Sequence, residues 1–155
     1  MSEQPGEHLM QSFQLDENLS VAPQIQPEDV AALKAAGFVG IINNRPDGEM
    51  PGQPTDAMIA AAAEAAGLAY AAIPVIGGQL TEAEIAAFGA TLAAADGPVL
   101  AFCASGTRSS IVWALWASAT RPPAELVAAA AEVGYDLRPF VPMLQQRFER
   151  SAPAS

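Results

Sequence analysis

Helical stretches and short apolar runs alternate along this chain, and a glycine separates them each time. Residues 27–36 read as a helix with Pro27 near its first turn; Gly37 stops it, and Phe38-Val39-Gly40-Ile41-Ile42 reads as a strand. The order recurs with a helix predicted over 55–66, Gly67, and a strand over 68–75. Thr81, with Glu84 three residues on, predicts a capping-box start to a third helix. That helix ends at Asp96-Gly97, before Pro98-Val99-Leu100-Ala101-Phe102, which is apolar at every position. Such a strand is buried on both faces, as in a parallel sheet. Strands alternating with helices predict an α/β fold with right-handed crossovers: one three-layer domain, its mostly parallel sheet flanked by helices.

After position 103 the pattern turns helical. An apolar helix carrying Trp113 and Trp116 is predicted over 109–119, and Pro122-Pro123 opens another that runs to Val133. Gly134-Tyr135-Asp136 turns the chain into a last helical segment containing Pro139 and Pro142. No linker divides the chain, so the expected domain covers 15–150, with a flexible N-terminal segment over 1–14 and a flexible tail over 151–155. Alanine tracts such as Ala60-Ala61-Ala62-Ala63 read as closely packed helix faces.

Composition narrows the function. The chain has 155 residues, 51% of them apolar and 15% charged, which suits one well-filled core and excludes a disordered protein. No apolar run approaches the roughly 20 residues of a membrane span. Met1 to Gln14 lacks the basic-then-apolar order of a secretory signal, so a cytoplasmic location is expected. The net charge of −10, with seven basic residues, repels nucleic acid and anionic membranes and leaves small molecules as the expected partners. A single Cys allows no internal disulfide and no resolving thiol. One Cys with one His, His8, cannot build a protein-only zinc site, so no metal or cofactor is expected. The lone His also weighs against any His-based triad.

The chemistry gathers in Phe102-Cys103-Ala104-Ser105-Gly106-Thr107-Arg108-Ser109. A central strand delivers Cys103 to the carboxyl edge of the sheet, where α/β proteins place their ligands. Small residues let the backbone curl before a helix that begins near Ser109. The N–H groups of Ala104, Ser105, Gly106, Thr107 and Arg108 then converge above the sulfur, at the positive end of the helix dipole. Arg108 adds a forked, permanently charged donor. A Cys at a helix N-terminus beside Arg is drawn toward the thiolate, and Ser109 is expected to donate to the sulfur.

The strand, Cys loop, Arg and helix resemble the cysteine-dependent protein phosphatases of the dual-specificity type, in which the Arg comes one residue later. Here Arg108 lies five after Cys103, a spacing similar to that of the rhodanese sulfurtransferases, whose loop is Cys-Arg-x-Gly-x-Arg; Ala104 replaces the first Arg. Over about 15–144 the chain most resembles a bacterial family known as the beta-lactamase-hydrolase-like, phosphatase-like domain. The matching stretches are Ile41-Ile42-Asn43-Asn44-Arg45-Pro46-Asp47-Gly48-Glu49, residues 70–78 with Ile73-Pro74-Val75, the Cys103 loop, and Gly134-Tyr135-Asp136-Leu137. The resemblance implies a dual-specificity-phosphatase-like fold. Two departures bear on phosphatase chemistry. Phe102 stands where those enzymes commonly have His, and Ile76-Gly77-Gly78-Gln79-Leu80 carries no general acid.

A proton donor typically contributes about 10²–10⁴-fold in hydrolysing esters with poor leaving groups, whereas sulfane transfer to a thiolate needs none there. The expected activity is therefore rhodanese-like sulfur transfer through a Cys103 persulfide, with a sulfane-sulfur substrate and a thiol acceptor. The alternative is a phosphatase with a phosphocysteine intermediate. A third is a non-catalytic redox sensor or anion-binding module. Asn44, Arg45 and Asp47 also lie at the carboxyl edge. Asp47 is the candidate replacement acid, and Asn44 and Arg45 are candidate anion binders. The competing expectation is a charged turn in which Arg45 pairs with Asp47 or Glu49. Gly77-Gly78 is expected to be a turn rather than a close-approach wall over the site, Trp113 and Trp116 core rather than a substrate-stacking surface, Tyr135-Asp136 a structural cap rather than residues leaning over the pocket, and His8 a solvated residue.

Overall fold

The computed structural model describes residues 11–151. Its strands are β1 (Phe13–Gln14), β2 (Leu19–Ala22), β3 (Gly40–Asn43), β4 (Ala69–Ala72) and β5 (Val99–Phe102), joined in one sheet in the order β1-β2-β5-β3-β4. Only β1 runs antiparallel to its neighbour; β2, β5, β3 and β4 are parallel. The helices are α1 (Val30–Ala35), α2 (Asp56–Ala66), α3 (Glu82–Ala94), α4 (Thr107–Ala117), α5 (Pro123–Glu132) and α6 (Val141–Ser151).

Alternation along β5 shows why its every residue is apolar. Val99 and Ala101 enter a core shared with Phe88, Val112, Trp113, Leu126 and Leu144, from α3 to α6. Leu100 and Phe102 enter a second core with Val30, Leu33, Ile59 and Ala63, from α1 and α2. The sheet is thus a middle layer between two helical layers, as expected. After β3 the chain turns toward the α1–α2 face, and after β5 toward the α4 face. Diverging exits from neighbouring parallel strands open a crevice at their carboxyl ends.

The differences from the sequence reading are local. Phe13 and Gln14, placed in the N-terminal segment, form an edge strand, and Ser151, placed in the tail, closes α6. Residues 1–10 of the first segment, with His8, and 152–155 of the tail lie outside the described residues. β2 escaped notice because Leu-Ser-Val-Ala has little β-branched content. It is nonetheless buried along its length beside β5. β4 stops at Ala72: Ile73 still donates to the Asn43 carbonyl (2.9 Å), but Pro74 has no N–H with which to extend the ladder. The segment predicted as a helix from Pro27 opens as a 3₁₀ turn, Pro27–Asp29. The last helical segment likewise opens as a 3₁₀ turn, Arg138–Phe140, which holds Pro139, and Pro142 falls in the first turn of α6. The capping box of Thr81 and Glu84 is present.

Both tryptophans pack inward. Trp113 is fully buried, its Nε1 donating to Asp16 Oδ2 at 3.2 Å, and Trp116 lies against Gly89 of α3. A Cβ at Gly89 would overlap the indole ring. Helix propensity alone would make Gly89→Ala stabilising by about 1 kcal/mol. Overpacking a rigid ring costs about 1–3 kcal/mol, so the variant is expected to unfold at lower urea. A midpoint above that of the wild type would show that the α3–α4 contact yields freely.

Candidate active site

Cys103 follows the last residue of β5 and is fully buried, anchored by its own N–H to the Ala22 carbonyl (3.3 Å). The chain then folds back so that Gly106 N–H donates to Cys103 Sγ at 3.0 Å. This return needs the left-handed conformation, and Gly106 has φ +93°. Space demands glycine as well, because a Cβ there would overlap the Tyr135 hydroxyl. That hydroxyl donates to the Ser105 carbonyl (3.0 Å), so Tyr135 braces the loop, while Gln24 N–H donates to the Ala104 carbonyl (3.3 Å) from the other side. Ser105 Oγ donates to Thr107 Oγ1 (2.9 Å) and accepts from Thr107 N–H (3.3 Å).

α4 begins at Thr107 rather than at Ser109, which places Arg108 and Ser109 in its first turn. The first N–H groups of a helix have no intrahelical acceptor, so those of Arg108 and Ser109 extend the donor set around the loop. The Ser109 hydroxyl does not serve the sulfur as expected. It is fully buried and donates to Asn44 Oδ1 at 2.8 Å. Asn44, also fully buried, donates through Nδ2 to the Ile73 carbonyl (2.8 Å) and through its N–H to the Phe102 carbonyl (2.8 Å). This residue, a candidate anion binder from sequence, is instead a rivet between the ends of β3 and β5.

Arg108 is held by a carboxylate. Nη1 and Nη2 donate to Glu49 Oε2 and Oε1, both at 2.8 Å, and Nη1 also donates to the Val75 carbonyl at 2.8 Å. Of the five guanidinium N–H groups, Nε–H and one on Nη2 remain for an anion at the loop. Arg45 closes the other side of Glu49 (Nε to Oε1, 2.8 Å) and reaches Gln24 Oε1 (3.0 Å). Paired mainly with Arg108 and then with Arg45, Glu49 has its pKa lowered to about 2. The Arg108 pKa is raised, chiefly by its hydrogen bonds to Glu49 and also by its proximity to Cys103. The Tyr135 pKa is raised by burial and then by its proximity to Cys103. Guanidinium and phenol thus both lie within electrostatic reach of the sulfur.

The structure therefore brings together Cys103, Ala104, Ser105, Gly106, Thr107, Arg108 and Ser109, with Asn44 and Arg45 behind them. Asp47 is engaged elsewhere: its Oδ1 accepts from Asp56 N–H at 2.7 Å and caps the start of α2. The charged-turn expectation for Arg45 and Glu49 holds. What sequence reasoning missed is that Glu49 serves Arg108; Tyr135, expected as a structural cap with a place over the pocket as the alternative, braces the loop itself. The Arg-to-Glu spacing offered a signal for a pair, but none for a partner at position 108.

Comparison with known proteins decides the family. The family described as beta-lactamase hydrolase-like protein, phosphatase-like domain, matches residues 12–120. The chain belongs to that family. Over 106 residues it is 46% identical to a beta-lactamase hydrolase-like protein of Agrobacterium fabrum and 42% identical to one of Xylella fastidiosa. Each match covers 68% of this chain and 25% of the relative, so the chain spans about a quarter of those proteins' length. A candidate phosphatase from Neisseria meningitidis superimposes with a TM-score of 0.78 at 32% identity, over 87% of this chain and 96% of that one. A kinase-associated phosphatase superimposes with a TM-score of 0.72 at 15% identity, over 94% of this chain and 97% of that one, and so shares the fold. The dual-specificity-phosphatase-like fold inferred from sequence is thus present, and the chain is phosphatase-like; the expected priority of sulfur transfer draws no support from these likenesses.

Two outcomes follow for this phosphatase-like domain. The lowered Glu49 pKa contributes stability that is fully present above its unfolded value near 4.5 and is lost as pH falls toward 2. Acid unfolding of Glu49→Gln is therefore expected to show a smaller loss of stability across that window than the wild type; parallel curves would contradict the pairing. Asn44→Ala strands the Ser109 hydroxyl and the Ile73 carbonyl in a buried site and is expected to cost about 1–3 kcal/mol for each group left unsatisfied, read from urea midpoints.

Proposed function

We propose that this chain is a cysteine-dependent phosphatase domain acting on small phosphate monoesters. The observation that supports this most is the pairing of a buried Cys103 sulfur, touched by Gly106 N–H, with a guanidinium that Glu49 holds in place beside it. The sulfur lone pair attacks phosphorus while the P–O bond to the leaving group breaks. The electrons of that bond leave with the ester oxygen, which takes its proton from water. A water molecule then attacks the phosphocysteine, the P–S bond breaks, and phosphate departs with the thiolate restored. The loop N–H groups and the free N–H groups of Arg108 stabilise the equatorial oxygens in both steps.

Neither nearby carboxylate is placed as a proton donor. Glu49 is ionised down to about pH 2 between two arginines, and Asp47 caps α2. Monoesters with good leaving groups, aryl phosphates above all, are the expected substrates. The same observation favours sulfur transfer as the second reading, because a sulfane sulfur passes between thiolates without a proton at that position.

Rates on aryl phosphates of rising leaving-group pKa are expected to fall steeply, since no acid offsets the developing charge. Arg108→Lys keeps the charge but loses the fork and its grip on Glu49, with an expected loss of about 10²–10³-fold in kcat. Cys103→Ser is expected to release no phosphate. Absence of vanadate-sensitive phosphate release from the wild type, with a gain of one sulfur mass at Cys103 after thiosulfate, would replace this reading with sulfur transfer.

A further inference from the structure

Next to Arg108 the surface opens into a cleft of about 310 Å³. The turn after β4 supplies Ile76 and Gly77, α4 supplies Ile111 and Leu115, and the C-terminal segment supplies Phe140 and Met143. Among the described residues of its lining, Arg108 alone is charged. Cleft and anion site share that guanidinium, which is fixed by the carbonyl of Val75, another lining residue. Ile76 and Met143 are 52% and 46% exposed, so two large apolar side chains of the lining stand open to water. The turn geometry keeps this wall open: Gln79 N–H closes on the Ile76 carbonyl (2.9 Å), Gly78 takes φ +78°, and a Cβ at Gly77 would meet nothing within 4 Å.

We propose that this cleft binds an apolar arm, aromatic or alkyl, carried on the ester oxygen of a singly phosphorylated small molecule. The proposal rests on the phosphatase reading above and names its substrate class. Three observations fix the occupant's chemistry. The lining offers no second cation for a second anionic group, and the net charge of −10 repels polyanions. The volume lies at the lower end of small-ligand pockets, enough for one ring system or a short chain. Burial of apolar surface against Ile111, Leu115 and Phe140 supplies the binding, while Arg108 and the loop orient the charged end. Phe140 and Met143 lie beyond residues 12–120, so this wall comes from outside the stretch that matches the family.

The test is calorimetric titration of the Cys103→Ser protein with n-alkyl phosphates from ethyl to octyl, each below its micelle concentration. Affinity is expected to rise about fourfold per methylene until the cleft is filled. In the same protein Met143→Glu, a change at an exposed position, is expected to lower the ratio of octyl to ethyl affinity by more than tenfold. Affinity that does not change with chain length, no binding of octyl phosphate, or a ratio that Met143→Glu leaves alone would overturn the proposal. Hydrolysis by the wild type is read separately, on aryl phosphates. A rising affinity series without vanadate-sensitive phosphate release from the aryl esters would leave the cleft's occupant standing and remove the phosphatase reading.

Discussion

The site depends on a carboxylate placed between two guanidinium groups. Glu49 comes from the loop after β3, Arg108 from the first turn after β5, and Arg45 from the same loop as Glu49. These neighbouring strands send their chains to opposite faces of the sheet, so nothing in the connectivity holds their ends together. The bidentate pair does so at the surface, and the Asn44–Ser109 hydrogen bond does so in the buried layer beneath. Because Glu49 takes one edge of the Arg108 fork and Val75 a further N–H, the guanidinium presents a fixed remainder to the loop. Pre-set donors cost no reorganisation when charge arrives, which is the physical basis of oxyanion stabilisation.

The Cys103 loop is constrained in the same spirit. Gly106 is required twice, once by its backbone angle and once by the Tyr135 hydroxyl above it. Tyr135 reaches the loop from the far end of the chain and holds the Ser105 carbonyl, so the segment after α5 shapes the cradle although it carries none of the reacting atoms. Gln24, from the loop after β2, binds both the Ala104 carbonyl and Arg45. Three separate segments therefore determine where the sulfur and the guanidinium stand.

Much of this was legible in the residues. The fully apolar run before Cys103 announced a doubly buried strand, and the Gly that follows announced a loop that folds back on the sulfur. Punctuation by glycine and proline placed α2, α3 and α5 within a residue or two. What stayed hidden was pairing at a distance. Glu49 lies 59 positions from Arg108 and Tyr135 lies 30 from Ser105, and local pattern carries no information about such contacts. The role of Asn44 was misjudged because an Asn at a sheet edge suits a ligand and a buried rivet equally well. Asp47 went to the N-terminus of α2, where a carboxylate oxygen satisfies an otherwise orphaned N–H. The consequence is electrostatic: Glu49 is held ionised between two arginines, and Asp47 is tied to the start of α2.

The central claim is that the Cys103 sulfur itself takes the transferred group. The most direct measurement is peptide mass spectrometry of the wild-type protein quenched in acid during turnover of an aryl phosphate. The account predicts one phosphoryl mass on the peptide containing Cys103, absent without substrate. Turnover with that peptide unmodified, or with the phosphoryl group on any other residue, would contradict it.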